Sequence, residues 1–326
     1  MKKILYFIIS CLISITTFAQ ISTPKYKYID NDVQKLGNFS NKNVAEIADA
    51  ITNKYTNNED KARAIFYWIA NNIAIDPKAV NKQEEKNKVP EKVIELRKAT
   101  PLGFSLLLQE MCSYSKIRCL SVDGFVKNRT AEINEKTEEK NYSWNVVQLG
   151  QSPETWYYID ACRASGFLDP KQKVFTKQFT SQYFFADKKL FNLIYFPDNL
   201  AWMLGGGNKS IKDFYALPII GNEAIGLEFR KLSPLTGLIK TVSNKAVDFS
   251  FSINNDNTIK KISILIGDEK KKQKEEPMNF DDNDGNIKFS YTFKKEDTFP
   301  IQIVVDGKIV LQYIIEVKEG KEVKGK

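Results

Sequence analysis

The spacing of hydrophobic residues changes twice along this chain. A largely apolar run occupies residues 4–18, and segments with helical spacing, mixed with a few strands, follow up to about residue 221. From residue 222 onward, short runs of alternating polar and apolar residues recur, which is the period of half-buried strands. The pattern predicts an N-terminal leader, an α+β domain and a C-terminal all-β domain.

The leader has the features of a secretory signal peptide. Lys2 and Lys3 precede the apolar run, and Thr17 and Ala19 place small residues where a signal peptidase would cut before Gln20. An uncleaved anchor is the alternative, but the run is shorter than the ~20 apolar residues that a membrane-spanning helix needs. We therefore expect residues 1–19 to be removed and the protein to be periplasmic or secreted, touching the membrane only through this transient leader.

The segment 20–221 is predicted to form the α+β domain. Thr100 and Pro101 are a favoured N-cap and first residue of a helix that continues to about Tyr114. Asn58 or Asp60 is the predicted cap of an earlier helix. Helices are also predicted over 43–55 and 93–98, strands over 118–127, 143–149 and 155–161, and irregular or loop structure over 20–40, 81–92 and 128–141.

The segment 222–318 is predicted to be a β-sandwich of immunoglobulin-like size. Asp284-Gly285 and Asp306-Gly307 are typical two-residue hairpin turns. The tail, 319–326, is rich in Lys, Glu and Gly and is predicted to be disordered. Strands are predicted over 225–230, 246–253, 258–266, 286–293, 298–305 and 308–317.

Charge and composition exclude several kinds of partner. Without the leader, 46 Lys and Arg face 40 Asp and Glu, and the two signs are mixed along the chain. A nucleic-acid-binding surface is therefore not predicted. The chain has no His and no Cys-x-x-Cys pair, so no zinc site is predicted. Residues 280–291 lack the acidic first and last positions of a calcium loop, so no metal or cofactor is predicted.

Three cysteines follow the leader. Cys112 lies late in a predicted helix and Cys119 begins the next strand, so a short turn could join them as a disulfide in an oxidising compartment. The alternative is that both, together with Cys162, are buried thiols that pack as small apolar residues.

Three motifs, in order and spacing, resemble the transglutaminase-like superfamily over residues 59–220. The family's Arg-x-Gly-x-Cys-x-Gly-Tyr matches 97–104, its His-Ala-Trp-Asn-x-Val matches 142–147, and its Trp-Tyr-x-x-Asp-Ala-Thr matches 156–162. The resemblance is to kyphoscoliosis-peptidase-like bacterial members. It implies a papain-like core and a Cys–His–Asp triad.

Two of the three triad positions hold residues that cannot serve as the family's nucleophile and base. The Cys position holds Pro101, the His position holds Tyr142, and only Asp160 remains. In the family the helix N-terminus favours the Cys thiolate, the His moves protons and the Asp orients the His. Tyrosine, with an ordinary pKa near 10, is a poor base near neutral pH. The sequence therefore predicts a pseudoenzyme.

Cys162 is the fallback nucleophile. If the strand continued through it, its side chain would share a face with Asp160, two residues earlier. A cysteine peptidase or amide transferase that uses Cys162 is therefore the alternative function, and a packed thiol is the competing interpretation.

The vacated cleft is the predicted binding site, and its partner would be a peptide, a protein or a cell-wall component. Arg97 and Arg163 are candidates to hold a carboxylate, although surface ion pairing is the more common role for arginine. Aromatic residues are natural contacts for peptides and glycans, and core packing is their alternative role. Those predicted to line the cleft, beside Asp160, are Phe104, Tyr142, Trp144 and Tyr158. A purely structural pair of domains is the third possibility.

Overall fold

The computed structural model describes residues 24–82, 85–135, 137, 139–169, 171–254, 256–267 and 273–320. The leader predicted over 1–19 and most of the tail predicted over 319–326 lie outside these residues. Among the helices in these ranges, none has the length and apolar character needed to cross a membrane.

In the described residues, six α-helices precede strand β3 (Arg118–Val126) of the main sheet, and four short ones come after strand β5 (Trp156–Ile159). The helices are α1 (Lys27–Leu36), α2 (Val44–Thr52), α3 (Asn58–Asn72), α4 (Pro77–Lys82), α5 (Pro90–Leu96), α6 (Pro101–Tyr114), α7 (Ala161–Ser165), α8 (Lys188–Ile194), α9 (Ile211–Ala216) and α10 (Asn222–Gly226).

The strands of the first domain are short, apart from the two at the centre of its main sheet. They are β1 (Ala74–Ile75), β2 (Lys98–Ala99), β3 (Arg118–Val126), β4 (Tyr142–Gln148), β5 (Trp156–Ile159), β6 (Gly166–Leu168), β7 (Phe175–Lys177), β8 (Tyr195–Pro197) and β9 (Ile219–Ile220). β5, β4, β3 and β8 form an antiparallel sheet in that order, and α6 packs on β3 and β4. This helix-on-sheet unit carries Pro101 and Tyr142, and Asp160 directly follows its strand β5.

The N-terminal segment is not irregular, as the sequence pattern suggested, but contains helix α1. Ile29 and Val33 are buried, and the carboxylate of Asp30 pairs with Arg63 of α3 inside the core. The prediction was wrong because polar residues dominate the segment and the partner that makes burial of Asp30 possible lies 33 residues away. The predicted loop over 81–92 is likewise partly helical, and its Asn87 is fully buried.

The C-terminal domain is a β-sandwich of two facing sheets, as predicted. Its strands are β10 (Arg230–Ser233), β11 (Leu238–Val242), β12 (Ala246–Ser252), β13 (Ile262–Ile266), β14 (Lys274–Met278), β15 (Asp281–Asn283), β16 (Asn286–Thr292), β17 (Asp297–Val305) and β18 (Lys308–Lys318). One sheet has the order β10-β12-β16-β15 and the other β11-β18-β17-β13-β14. The strand predicted over 225–230 is wrong, because α10 ends at Gly226, a turn follows, and only Arg230 of that segment lies in a strand.

Both hairpin predictions are confirmed. Asp284 and Gly285 have φ angles of 50° and 74°, and Asp306 and Gly307 have 49° and 81°, which are the left-handed conformations that a two-residue turn of this kind requires. β9 pairs with β18, so the sheet of the sandwich also takes in residues 219–220 and ties the two domains together.

Candidate functional site

Helix α6 begins where the resemblance places the nucleophile. Thr100 is its N-cap, with its hydroxyl accepting a hydrogen bond from the N–H of Gly103 at 3.2 Å, and half-buried Pro101 is the first helical residue. The helix start that would favour a thiolate is therefore present. Its first residue, however, has no nucleophilic atom.

Tyr142, at the histidine position, opens strand β4 with its hydroxyl buried. The hydroxyl lies near Asp160 and Cys162, yet it has no hydrogen-bond partner of acceptable geometry. Burial, together with the neighbouring Asp160, raises the pKa of Tyr142 well above its usual value. The phenol therefore stays protonated near neutral pH and cannot accept a proton as a histidine would.

Both carboxylate oxygens of Asp160 accept hydrogen bonds from groups other than a histidine. Its Oδ1 accepts a hydrogen bond from the N–H of Arg163 at 2.9 Å, so that it caps α7, and its Oδ2 accepts one from the Tyr195 hydroxyl at 2.6 Å. Burial raises the Asp160 pKa, while the Tyr195 hydrogen bond and the Arg163 charge oppose that rise. The carboxylate now organises a helix start and a neighbouring tyrosine.

Cys162 lies on a helix, which corrects the assumption of a continuing strand. Strand β5 ends at Ile159 and Cys162 is the second residue of α7, because the Asp160 cap turns the chain into a helix. Its side chain is 2 % exposed. Burial and the nearby Asp160 raise the pKa of the Cys162 thiol well above its usual value. The thiolate required for nucleophilic attack is therefore disfavoured.

Arg163 is the candidate binding residue that lines a cavity in the described part of the chain. Its guanidinium lies over the rings of Tyr142 and Tyr195, at 5.3 and 4.9 Å from their centroids. The residue is half-buried and lines a cavity between the two domains. Arg163 thus lies between the region of Tyr142 and Tyr195 and the cavity.

The other predicted binding residues lie elsewhere. Phe104, Trp144 and Tyr158 are at most 1 % exposed and belong to the hydrophobic core. Arg97 packs over Trp68 and donates to the carbonyl oxygens of residues 38 and 39. The aromatic cleft expected around Tyr142 and Asp160 is therefore filled by its own side chains, and core packing is what the structure shows for these aromatic residues.

The interdomain cavity was not predicted from the sequence. Its volume is about 500 Å³, and it is formed by α7, the β6–β7 hairpin and residues 178–182 on one side and by α10 and the β17–β18 turn on the other. The lining comes from chain segments more than 100 residues apart. The Asp-Ala-Cys-Arg sequence at 160–163 gave the only signal, since it placed an arginine beside the triad position.

Cys112, Cys119 and Cys162 are all buried free thiols in the structure. Cys112 and Cys119 are close enough to interact, and the amide of Asn145 donates toward the Cys119 Sγ at 3.6 Å. The disulfide considered from the sequence is not formed, and the interpretation as packed thiols describes the geometry.

Comparison with known proteins places this site in a family. A family model of the transglutaminase-like superfamily matches residues 45–161. Kyphoscoliosis peptidase of Mus musculus is 27% identical over 188 residues, which are 57% of this chain and 28% of the mouse protein. The Homo sapiens protein of that name is 26% identical over 201 residues, 61% of this chain and 30% of its own length.

A third curated relative is Hillarin of Drosophila melanogaster, which is 20% identical over 219 residues, 60% of this chain and 25% of the fly protein. The chain thus spans less than a third of the length of each of these relatives. The matched segment contains α6, β4 and the Asp160 cap, which are the elements that position the site. This chain therefore carries a domain of the transglutaminase-like superfamily.

Proposed function

We propose that this chain is an exported transglutaminase-like pseudoenzyme that binds a peptide, protein or cell-wall partner without processing it. The observation that carries the proposal is the replacement of the nucleophile and the base by Pro101 and Tyr142, together with the occupation of both Asp160 carboxylate oxygens by other donors. The leader over 1–19 and the division into domains 20–221 and 222–318 are parts of the same proposal.

The chemistry of the site supports a non-catalytic role. A triad functions as a unit, and loss of one member typically lowers the rate by several orders of magnitude. With no histidine anywhere in the chain, the base would have to be a buried tyrosine that holds its proton or a carboxylate that already accepts two hydrogen bonds. Neither is suited to activating a nucleophile near neutral pH.

The second candidate function is a cysteine peptidase or amide transferase that uses Cys162. The name of the mammalian relatives, kyphoscoliosis peptidase, and the position of Cys162 beside Asp160 favour it. Burial of the thiol and its raised pKa weigh against it, because reactive cysteines are accessible and have lowered pKa values.

Alkylation of the thiols separates the two functions. We expect iodoacetamide near neutral pH to modify Cys162 in the native protein no faster than Cys112, which is fully buried. Burial limits access of the reagent to both thiols and also disfavours the Cys162 thiolate, so both rates should be slower by roughly 100-fold or more than in the denatured chain. Mass spectrometry of tryptic peptides assigns the modified residue. Selective, rapid modification of native Cys162 would contradict the pseudoenzyme and favour the peptidase.

A further inference from the structure

We propose that the interdomain cavity binds a peptide through its carboxylate, with the Arg163 guanidinium as the principal contact. The inference rests on the proposed function, since it names the ligand class and the site of the binding protein. It places the binding site in the interdomain cavity that Arg163 lines. The region around Tyr142 and Asp160, where the sequence predicted the site, is filled by aromatic side chains.

The carboxylates that line the cavity are engaged by groups other than Arg163, whose charge interacts only at longer range with the buried Asp160. Lys308 forms an ion pair with Glu223 at 2.9 Å. The Asp306 carboxylate accepts hydrogen bonds from the backbone N–H groups of Lys260 and Lys261 at 3.1 and 2.8 Å. Among the described residues, no carboxylate lies within ion-pair distance of the Arg163 guanidinium. The cavity lining therefore includes an arginine that has no direct ion-pair partner and can still pair with the carboxylate of a ligand.

Among the described residues, Lys177 is a second cation of the cavity lining that pairs with no carboxylate, but its ammonium is already hydrogen-bonded. Its ammonium donates to the carbonyl oxygen of Asn71 at 2.6 Å. This hydrogen bond draws the ammonium toward the first domain and leaves two of its three donors. Lys177 can strengthen the positive potential, while Arg163 provides the planar donor group that matches a carboxylate.

Two tyrosine rings hold the Arg163 side chain in place. Because the guanidinium is stacked on Tyr142 and Tyr195 before any ligand binds, little side-chain entropy remains to be lost on binding. Tyr142 is the residue that replaced the catalytic histidine. The same substitution that removes the base therefore supplies part of the platform for the arginine.

The remaining lining suits a peptide. Amide side chains of Asn222, Gln178 and Gln182 can hydrogen-bond a peptide backbone, and the Asn222 Oδ1 is fixed by the Tyr183 hydroxyl at 2.7 Å. A volume of about 500 Å³ lies within the usual range for small-ligand sites. The apolar lining residues are Phe167, Phe179, Leu227 and Val305.

The test is calorimetric titration of the chain from residue 20 to 326 at low salt. The probes are N-acetyl-Ala-Ala-Phe-Ala and N-acetyl-Ala-Ala-Leu-Ala, each as the free acid and as the C-terminal amide, with glucuronate as a non-peptide carboxylate. We expect at least one free acid to bind and its amide to bind at least tenfold more weakly.

Variants assign the effect to Arg163. Arg163→Met should weaken binding of the free acid at least tenfold, and Arg163→Lys should restore only part of it because lysine lacks the bidentate geometry. Arg118→Met is the matched control, because Arg118 also stacks on an aromatic ring, that of Trp156 at 5.2 Å, but does not line the cavity. It should leave affinity unchanged. Circular dichroism and melting temperatures verify that each variant is folded.

Three results would overturn the proposal: equal binding of acid and amide, unchanged affinity in folded Arg163→Met, or no carboxylate-dependent binding of either peptide at millimolar concentration. Binding of glucuronate without binding of the peptides would assign the site to an acidic glycan instead. Mass spectrometry of the same mixtures, which detects peptide cleavage, distinguishes a failure of the pseudoenzyme proposal from a failure of the cavity proposal. Cleaved peptides would reject the pseudoenzyme, whereas intact but unbound peptides would reject only the present inference.

Discussion

Replacing Arg63 by Met should lower the free energy of unfolding by about 3–5 kcal/mol, the usual cost of leaving one charge of a buried pair without its partner. Arg63 donates from Nε and Nη2 to the two carboxylate oxygens of Asp30, at 2.8 and 2.7 Å. The arginine side chain is completely buried and that of Asp30 is 4 % exposed. The variant would leave an ionised or newly protonated Asp30 inside the core.

Aromatic rings around Arg63 add to this effect. Its guanidinium lies 4.9–5.8 Å from the centroids of four rings, and the desolvated setting strengthens such contacts. The rings belong to Tyr26, Phe66, Phe179 and Phe184. Because Phe179 and Phe184 follow the site segment in the chain, loss of the pair should loosen the N-terminal helix and the wall of the cavity together.

Urea denaturation of a mutant cycle measures this prediction. The variants are Arg63→Met, Asp30→Val and the double variant, which removes both charges and should be more stable than Arg63→Met alone. Lys54→Met is the control, since Lys54 forms an exposed ion pair with Asp32 of the same helix α1. Exposed pairs contribute less than about 1 kcal/mol. If Arg63→Met and Lys54→Met cost the same, the buried pair does not hold α1 on the domain.

Replacing Gly103 by Ala should destabilise the protein by about 3 kcal/mol or prevent folding, because overpacking against a fixed backbone has few ways to relax. A Cβ atom at this position would lie 2.0 Å from the carbonyl oxygen of Asn87. Asn87 itself is fully buried and donates to Asp76 at 2.9 Å. The carbonyl also accepts from the Thr100 N–H at 3.3 Å, so movement would disturb the start of α6.

Gly226→Ala is the matched control for this glycine. Gly226 also lies in a helix, α10, and a Cβ there would meet only the end of the Gln182 side chain at 3.9 Å. Alanine at such a site commonly stabilises a protein by about 0.4–1 kcal/mol. Thermal melting of both variants gives the comparison. A folded Gly103→Ala protein as stable as Gly226→Ala would show that the contact with Asn87 does not fix the start of α6.

The sequence identified those parts of the fold that depend on short-range signals. Thr100 and Pro101 predicted the start of α6, and the Asp-Gly turns predicted two hairpins of the sandwich, because a cap or a turn is decided by neighbouring residues. Helix α1 was missed because the burial of Asp30 depends on Arg63. That partner is adjacent only in the folded chain.

The sequence predicted the motifs of the candidate site, but it did not predict the cavity beside them. The alignment of Pro101, Tyr142 and Asp160 with a triad follows from the order of residues, whereas the packing of aromatic side chains around these positions depends on the folded chain. Cys162 was placed on the wrong element because Asp160 is a helix cap, a role that its position after a strand did not reveal. The cavity was missed because its two walls belong to different domains.

Turnover of amide substrates tests the central claim most directly. The chain from residue 20 to 326 would be incubated with casein, a glutamine-containing peptide and peptidoglycan peptides, and cleavage and ammonia release would be followed beside the Cys162→Ala variant. We expect no turnover above buffer by either protein. Turnover that is present in the unmodified chain and lost in Cys162→Ala would contradict the account and make Cys162 the nucleophile of an active enzyme.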